Sequence, residues 1–511
     1  MIVKFPSVAQ GVNRDASPDE LPMGVWSSVS NMVFKDGFLA RSGGMRQVFS
    51  APSITPLFVS PFRTATSMFW LHFGAASAFV DDGTTRTDIT RASPFTGGAA
   101  DRWTGGPFNG IFIASNGVDV PQYWNGNTAT DFADLTNWPA GYTCKSIRPF
   151  KNFLVALDIT KSGTRYPFRV LWSAIADPGS VPPSWDIADP SREAGEIDIE
   201  GAAGPLIDSL VLGDATIIYT TASAHAMRYI GGQSVFAFSK IGDFGMLARN
   251  CGANTPLGHV VLTAGDVVLH AGGPSKSIAT ARVRRAIFGE MDSTYAERAA
   301  FVTTNPAQNE VWVCYPTSGT TCSKAAIWNW ADDIWTFRDL RTVTAGAPGQ
   351  VPSWNDGTDT WNTSTGTWDT DTALWGSGEA SPNDQRLVLA HAIPALSIVG
   401  AGQTDVGTSF TATAERTGMH MDDPQRVKLL RSVWPRIDAV AGTVVSVEVG
   451  AAMTPDVSPS WNAAVSYTVG TSTKVDSMVS GRFLALRLSS AVDGDWRVRG
   501  VDLDVVPQGA W

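Results

Sequence analysis

The side chains that most often carry catalysis are spread thinly through this chain. No pair of its six histidines has the H-E-x-x-H spacing that sets two metal ligands and a general base on one helix face. No G-x-S-x-G nucleophile turn, Walker phosphate loop or G-x-G-x-x-G loop occurs either. The sequence therefore predicts no catalytic or metal-binding residue, no cofactor and no enzymatic activity. The histidines are His72, His225, His259, His270, His391 and His420.

The four cysteines have no zinc-ligand spacing and are too few to form a disulfide framework. Cys314 and Cys322 flank a predicted hairpin turn. We interpret them as small core residues that stay reduced in a cytosol.

A tryptophan-rich segment is the first candidate for a binding role. Its indoles recur every seven residues, but the Asn, Asp, Thr and Gly between them disfavour a helix. Three interpretations remain open: the indoles stack on sugars, they dock another protein or subunit, or the loop folds onto its own tryptophans. The residues are Trp354, Trp361, Trp368 and Trp375.

The stretch S-W-N-D-G-T-D-T-W at 353–361 resembles the Asp-box turn of sialidase-type propellers, with Asn355 at the aspartate position. That turn is structural. A sialidase site would also need an arginine cluster and a tyrosine nucleophile, which the sequence does not supply. A glycan-processing enzyme is therefore disfavoured.

The densest basic cluster is A-R-V-R-R, which contains Arg282, Arg284 and Arg285. Three interpretations fit: contact with phosphate groups in a lumen, ion pairs with acidic residues of a neighbouring copy, or solvated side chains, and the last two are favoured. The chain has 38 basic and 48 acidic residues, a net charge of −10, which disfavours tight binding of nucleic acid. A wall of like charge would instead let DNA slide past.

The local structure that would position these residues is β. Residues 309–340 contain three aromatic and β-branched runs separated by turn residues, the pattern of a three-strand antiparallel meander. Val311, Val313 and Tyr315 alternate with Trp312 and Cys314, so both faces of the first strand are apolar. Strands covered on both faces are typical of propeller blades, which pack between neighbours.

Short apolar runs separated by turn residues recur along most of the chain, which we divide into four predicted regions. Residues 1–50 form an N-terminal arm and hairpin, with a turn at Asp36-Gly37. Residues 51–345 form a β-propeller-like core, whose blade number does not follow from a strict repeat, with one short helix near R-V-R-R-A-I-F-G-E-M. Residues 346–385 are a Trp-rich loop insertion, and 386–511 form a C-terminal β-sandwich or platform domain. The predicted fold class is all-β.

Several segments, in this order, resemble the tail nozzle proteins of short-tailed bacteriophages (podoviruses), also called tail tubular protein B-like or packaged-DNA-stabilization tail hub proteins. The segments cover nearly the whole chain. They are G-V-N-R-D-A-S-P-D-E-L-P, N-M-V-F-K-D-G-F-L-A-R-S-G-G, I-A-S-N-G-V-D-V-P-Q-Y-W-N-G, V-L-W-S-A-I-A-D-P, L-G-D-A-T-I-I-Y-T, M-R-Y-I-G-G, the 309–340 meander, V-W-P-R-I-D, S-G-R-F-L-A-L-R and G-V-D-L-D-V.

The resemblance implies a structural virion protein of the viral tail, assembled in the cytoplasm of the bacterial host. It implies a homo-oligomeric ring, expected to be a hexamer, below a tail adaptor protein and beside tail fibres or spikes. The ring would retain the packaged genome and conduct double-stranded DNA during genome ejection. A tail-associated glycan-binding adhesin propeller is the alternative. The chain has no apolar signal core near its N-terminus and no run of about 18 apolar residues, so we expect no membrane segment.

Overall fold

The structure, a computed structural model, describes residues 2–5, 7–232, 234–351 and 385–510. It is all-β, with a β-propeller core, a β-sandwich and an extended N-terminal segment. The predicted meander is confirmed as Glu310–Tyr315, Cys322–Asn329 and the start of Ile334–Gln350, paired antiparallel in that order. Val311, Val313 and Tyr315 face one core cluster, and Trp312 and Cys314 face another.

Seven blades of four antiparallel strands form the propeller. Their innermost strands contact one another in a closed ring and all line one central groove. We number the blades in chain order and give the strands of each from the axis outward. Blade 1 comprises Phe58–Arg63, Met68–Phe73, Ala78–Asp81 and Arg86–Asp88; blade 2, Thr104–Phe108, Ile111–Ser115, Gln122–Trp124 and Ala133–Asp134; blade 3, Tyr142–Phe150, Phe153–Lys161, Thr164–Trp172 and Gly195–Asp198; blade 4, Leu206–Leu212, Ala215–Thr220, Ala224–Tyr229 and Phe236–Gly242; blade 5, Gly252–Thr255, Gly258–Leu262, Val267–His270 and Lys276–Ser277.

The last two blades share one long strand, Ile334–Gln350. Its first part, 334–343, is the outer strand of blade 6, after Phe301–Asn305, Glu310–Tyr315 and Cys322–Asn329. Its second part, 343–350, is the inner strand of blade 7, followed outward by Gln385–His391, Ala395–Val399 and Met45–Gln47. A strand from before blade 1 therefore completes the last blade and closes the ring. Residues 386–399, which the sequence-based division assigned to the C-terminal block, pair within the propeller.

The sandwich consists of two six-stranded antiparallel sheets. In Val444–Ala452, Val445, Val447 and Val449 are buried while the alternate residues are partly exposed, as predicted. Sheet 1 has the order Met32–Lys35, Phe38–Arg41, Trp496–Ala510, Arg426–Ala439 and Val475–Gly481, with Ile2–Lys4 also paired to Trp496–Ala510. Sheet 2 has the order Ser28–Ser30, Ala412–Met419, Phe483–Ser490, Val444–Ala452 and Ser460–Trp461, with Val465–Thr468 also paired to Val444–Ala452.

The N-terminal segment is woven into its own chain. Its strands belong to both sandwich sheets, and the predicted hairpin has Asp36 and Gly37 at positive φ, as a tight two-residue turn requires. Trp26 is fully buried, stacks on Phe5 with ring centroids 6.0 Å apart, and donates its indole N–H to the Val8 carbonyl at 2.8 Å. The segment therefore packs as part of the core and does not project from it.

One apolar cluster joins the sandwich, the N-terminal segment and blades 4 to 6. It contains Trp26, Ile217 of blade 4, Val260 of blade 5, Trp335 of blade 6 and Leu486 of the sandwich. Because interiors pack at crystal-like density, residues that share a cluster resist relative movement. Three helical segments are described, two in the connection between blades 5 and 6 and one between the first two strands of blade 6. They are α1 (Arg284–Glu290), which confirms the predicted short helix, α2 (Ala296–Ala299) and a 3-10 turn (Pro306–Gln308).

Candidate functional site

Residues of all seven blades line the central groove of the propeller. Its volume is about 480 Å³, within the range of small-ligand sites. A DNA duplex, whose major groove alone is about 12 Å wide, does not fit into such a space. Any passage for duplex DNA would have to be formed between copies of the chain.

A buried ion pair holds the inner strands of blades 2 to 5 together around the groove. Arg148 of blade 3 makes a two-pronged contact with Asp208 of blade 4, at 2.8 and 2.6 Å. The same guanidinium donates to the Gly105 carbonyl of blade 2 at 2.9 Å and to the side-chain oxygen of Asn250, before blade 5, at 2.6 Å. Four of its five N–H donors are thereby engaged.

The pKa values of this pair follow from its surroundings. Burial alone would raise the pKa of the Asp208 carboxyl, but the charge and hydrogen bonds of Arg148, helped by Asn250 and Ser146, keep that pKa below its ordinary value. Burial would lower the pKa of Arg148, but Asp208 outweighs it and raises that pKa. Both groups therefore remain charged at neutral pH.

A second arginine, Arg249, connects parts of the same blades through backbone carbonyls and not through a carboxylate. Arg249 donates from one nitrogen to the carbonyls of Arg102 and Lys145, each at 2.6 Å. Burial, with the nearby charge of Arg102, lowers the pKa of Arg249 to about 10. Its backbone contacts tie the chain before blade 5 to the chain before blade 2 and to blade 3.

The predicted arginine cluster lies where the N-terminal segment meets α1. Arg282 pairs with Asp333 at 2.9 Å, and Arg284 donates to the Gly265 carbonyl at 2.8 Å. Arg285 donates from its side chain to the backbone carbonyl of Asp15. All three contact their own chain, although the side chains of Arg282 and Arg284 stay 43% and 48% exposed. Arg285 is exposed as well, and contacts with a lumen or a neighbouring copy remain predictions for all three arginines.

Residues next to this arginine cluster also hold the N-terminal segment in place. Arg14 forms an ion pair with Glu290 at 2.6 Å, and Lys324 pairs with the other oxygen of Glu290 at 2.9 Å. The backbone N–H of Arg14 also donates to the Arg282 carbonyl at 2.7 Å. We call residues 13–15 with α1 the N-terminal clamp.

The predicted tryptophan site, Trp354, Trp361, Trp368 and Trp375, lies outside the described residues, as does the Asp-box-like stretch 353–361.

Two of the six histidines meet at one tyrosine, which the sequence did not reveal. The Gly272 N–H donates to His270 Nδ1 at 3.2 Å, so His270 Nε2–H is left to donate to the Tyr219 hydroxyl at 2.6 Å. That hydroxyl donates to His259 Nδ1 at 2.6 Å, and His259 Nε2–H donates to the Val211 carbonyl at 3.0 Å. The chain of hydrogen bonds requires both imidazoles to be neutral.

Burial favours those neutral forms. It lowers the pKa of His259, and burial together with His259 lowers the pKa of His270 to about 4. Burial raises the pKa of Tyr219 well above its ordinary value. We call these three residues the tyrosine–histidine relay; it joins blades 4 and 5 inside the core.

Two further buried histidines have hydrogen-bond partners close to them in the sequence. His391 contacts Ser397 at 2.7 Å, and His225 contacts Ser223 at 2.9 Å. The four cysteines are free and buried, which agrees with the interpretation of Cys314 and Cys322 as core residues. Within the described part of the chain, no group of three or more His, Cys, Asp or Glu side chains is placed to hold a metal ion. None of the helices among the described residues is long and apolar enough to cross a bilayer.

Comparisons with known proteins give information about the fold only. No protein-family model matches the chain, and no curated protein does. Among solved structures, it is similar to the crystal structure of the WD40 β-propeller domain of Doa1, with 8% sequence identity and a TM-score of 0.38. The match covers 70% of this chain and 97% of that domain. Similarity at this level says nothing about function, and the propeller itself is defined by the closed ring of inner strands.

Proposed function

We propose that this protein is a structural component of a virion, the ring-shaped nozzle of a short bacteriophage tail. In this role several copies, expected to be six, retain the packaged genome below the adaptor and conduct double-stranded DNA during ejection. The proposal starts from the ordered sequence segments that resemble the nozzle family.

The structural observation that supports it best is the single apolar core joining the sandwich, the N-terminal segment and three propeller blades. A wall that surrounds pressurised DNA needs subunits that do not bend between their domains. A core shared across the domain boundary provides that stiffness, because shifting one domain would open cavities in both.

The size of the central groove supports an oligomer. At about 480 Å³ the groove cannot admit a duplex, so one copy could not be the channel. Copies related by rotation close into a ring, and the space they surround belongs to the assembly. The net charge of −10 would let DNA pass with little adhesion to the wall.

Electron cryomicroscopy of purified particles, with quantification of each tail protein, tests the proposal. We expect the chain as a closed ring, in a fixed ratio to the portal and adaptor proteins. Its absence from particles, or its presence only as separate monomers, would rule out a nozzle. The adhesin alternative makes different demands: the free protein should then bind cells or glycans by itself, and an excess should block infection.

A further inference from the structure

We propose that the central groove of the propeller is a binding site for a small phosphate-type oxyanion, with Arg102 as its counterion. Two arginines, Arg102 and Arg148, line this groove, and among the residues that the structure describes no aspartate or glutamate does. That lining is unusual in a chain with ten more acidic than basic residues. The inference does not depend on the proposed role as a nozzle.

The two arginines differ in whether a carboxylate of the chain already compensates their charge. Arg148 is neutralised by Asp208 behind the groove wall. Arg102 donates one hydrogen bond, to the Glu297 carbonyl at 3.2 Å, contacts the Cys251 thiol, and forms no ion pair with any described carboxylate. A guanidinium left with unused donors beside a groove is suited to a two-pronged contact with an oxyanion.

The local field is positive beyond Arg102 itself. Arg249 lies close enough that the charge of Arg102 contributes to lowering the pKa of Arg249. Among the charges that act on Arg249, that of Arg102 is the largest and opposes the protonated form, whereas Asp208 and Asp101 act in the opposite direction. A bound dianion would relieve this repulsion.

The groove walls add backbone donors. The innermost strand of each blade is a sheet edge, so one row of its N–H and C=O groups faces the axis without a strand partner. Glycines at the wall, Gly105, Gly106, Gly252 and Gly346, bring this backbone within reach of a ligand. A Cβ built on Gly106 would meet no atom within 4 Å, so that position opens onto free space. Such backbone N–H groups are common partners of phosphate oxygens.

Isothermal titration of the full chain at low ionic strength tests the site with two probes, inorganic phosphate and a nucleoside 5′-monophosphate. Both should bind with one site per chain. Equal affinities would mean that the groove recognises the phosphate group alone. A tenfold preference for the nucleotide would mean that the remaining groove volume holds the nucleoside. Failure of both probes to bind would overturn the proposal.

Two variants locate the binding. Arg102→Gln removes the counterion and should weaken phosphate binding by about tenfold to a hundredfold, the range for losing one charge-assisted contact. Asn254→Asp adds a carboxylate to the groove wall with almost no change of shape, and should weaken binding similarly. The matched control is Arg192→Gln, an exposed arginine of the blade 3 loop, which changes the net charge equally and should leave binding intact. Equal loss in the control, or undiminished binding in both groove variants, would show that phosphate binds elsewhere.

Discussion

The carboxylate of Asp15 accepts hydrogen bonds from the backbone N–H groups of Arg285, at 3.0 Å, and Ala286, at 3.3 Å, although 270 residues separate Asp15 from Arg285. The side chain therefore caps the first turn of α1 from a distant part of the chain. α1 has no capping hydrogen bond from its own N-cap residue, Val283. The cap, with the Arg14–Glu290 ion pair, holds the N-terminal segment against the propeller.

Asp15→Ala should lower the free energy of unfolding by about 1 kcal/mol, the usual effect of losing an N-cap. Hydrogen exchange should rise at 13–16 and in α1, because both lose their common contact. Asp332→Ala, at an exposed turn, is the matched control and should change neither quantity. Unchanged exchange in α1 of the Asp15 variant would contradict the capping role.

The clamp shows what the sequence could and could not predict. The α1 helix and the meander were predictable because local patterning alone forms them. The partners of Arg282 and Arg285 were not, since Asp333 and Asp15 are distant in the sequence. At this site the arginine cluster could be recognised from the sequence, but the contacts of its side chains could not.

The number of blades could not be predicted from the sequence for a similar reason. Propeller strands range from two residues in Ala133–Asp134 to 17 in Ile334–Gln350, so no fixed period marks the blades. Blade 7 combines Met45–Gln47 with strands some 300 positions later, which no local pattern reveals.

The sequence did contain a signal for the buried ion pair, at Asp208. A charged residue in the apolar run Leu206–Leu212 implies a buried partner, and Arg148 supplies it.

Asp208→Asn should destabilise the protein by about 3–5 kcal/mol, the range for leaving one member of a buried ion pair unmatched. The change preserves shape, so the loss reports the uncompensated charge of Arg148 and not a cavity. Denaturant unfolding followed by tryptophan fluorescence measures it.

A double variant, Asp208→Asn with Arg148→Met, checks the cause. It should recover part of the lost stability because it removes the unmatched cation. Losses that simply add would show that the two side chains act independently.

The tyrosine–histidine relay should make stability depend on pH between about 6.5 and 4. In the unfolded chain both histidines take up a proton near pH 6.5, whereas burial lowers their pKa in the folded protein, to about 4 for His270. Their contribution is therefore fully present above pH 6.5 and is lost as pH falls toward 4. Denaturant midpoints measured at intervals across this range should decline.

Carboxylates of the unfolded chain also take up protons toward the acid end of that range, so a variant is needed to isolate the histidines. Replacing both His259 and His270 by Gln should lower stability at pH 7 but flatten its decline from pH 6.5 to 5. His225→Gln is the comparison: burial also lowers the pKa of His225, but this variant leaves the relay intact and should flatten the decline less than the double variant does. An equally steep decline in the double variant would exclude the relay as the cause.

The shared core predicts that the sandwich and blades 4 to 6 unfold together. Trp26 is fully buried in the cluster that joins them, and Trp26→Ala should cost about 3–5 kcal/mol. Hydrogen exchange in this variant should rise in both regions at once, for example in Val444–Ala452 and in Gly258–Leu262. Trp138→Ala is a matched control because Trp138 packs in a separate cluster between blades 2 and 3, and its loss should leave exchange in the sandwich unchanged. If Trp26→Ala loosened the sandwich while blades 4 to 6 stayed protected, the two regions would be separable units. The stiffness on which a nozzle wall depends would then have to come from contacts between copies.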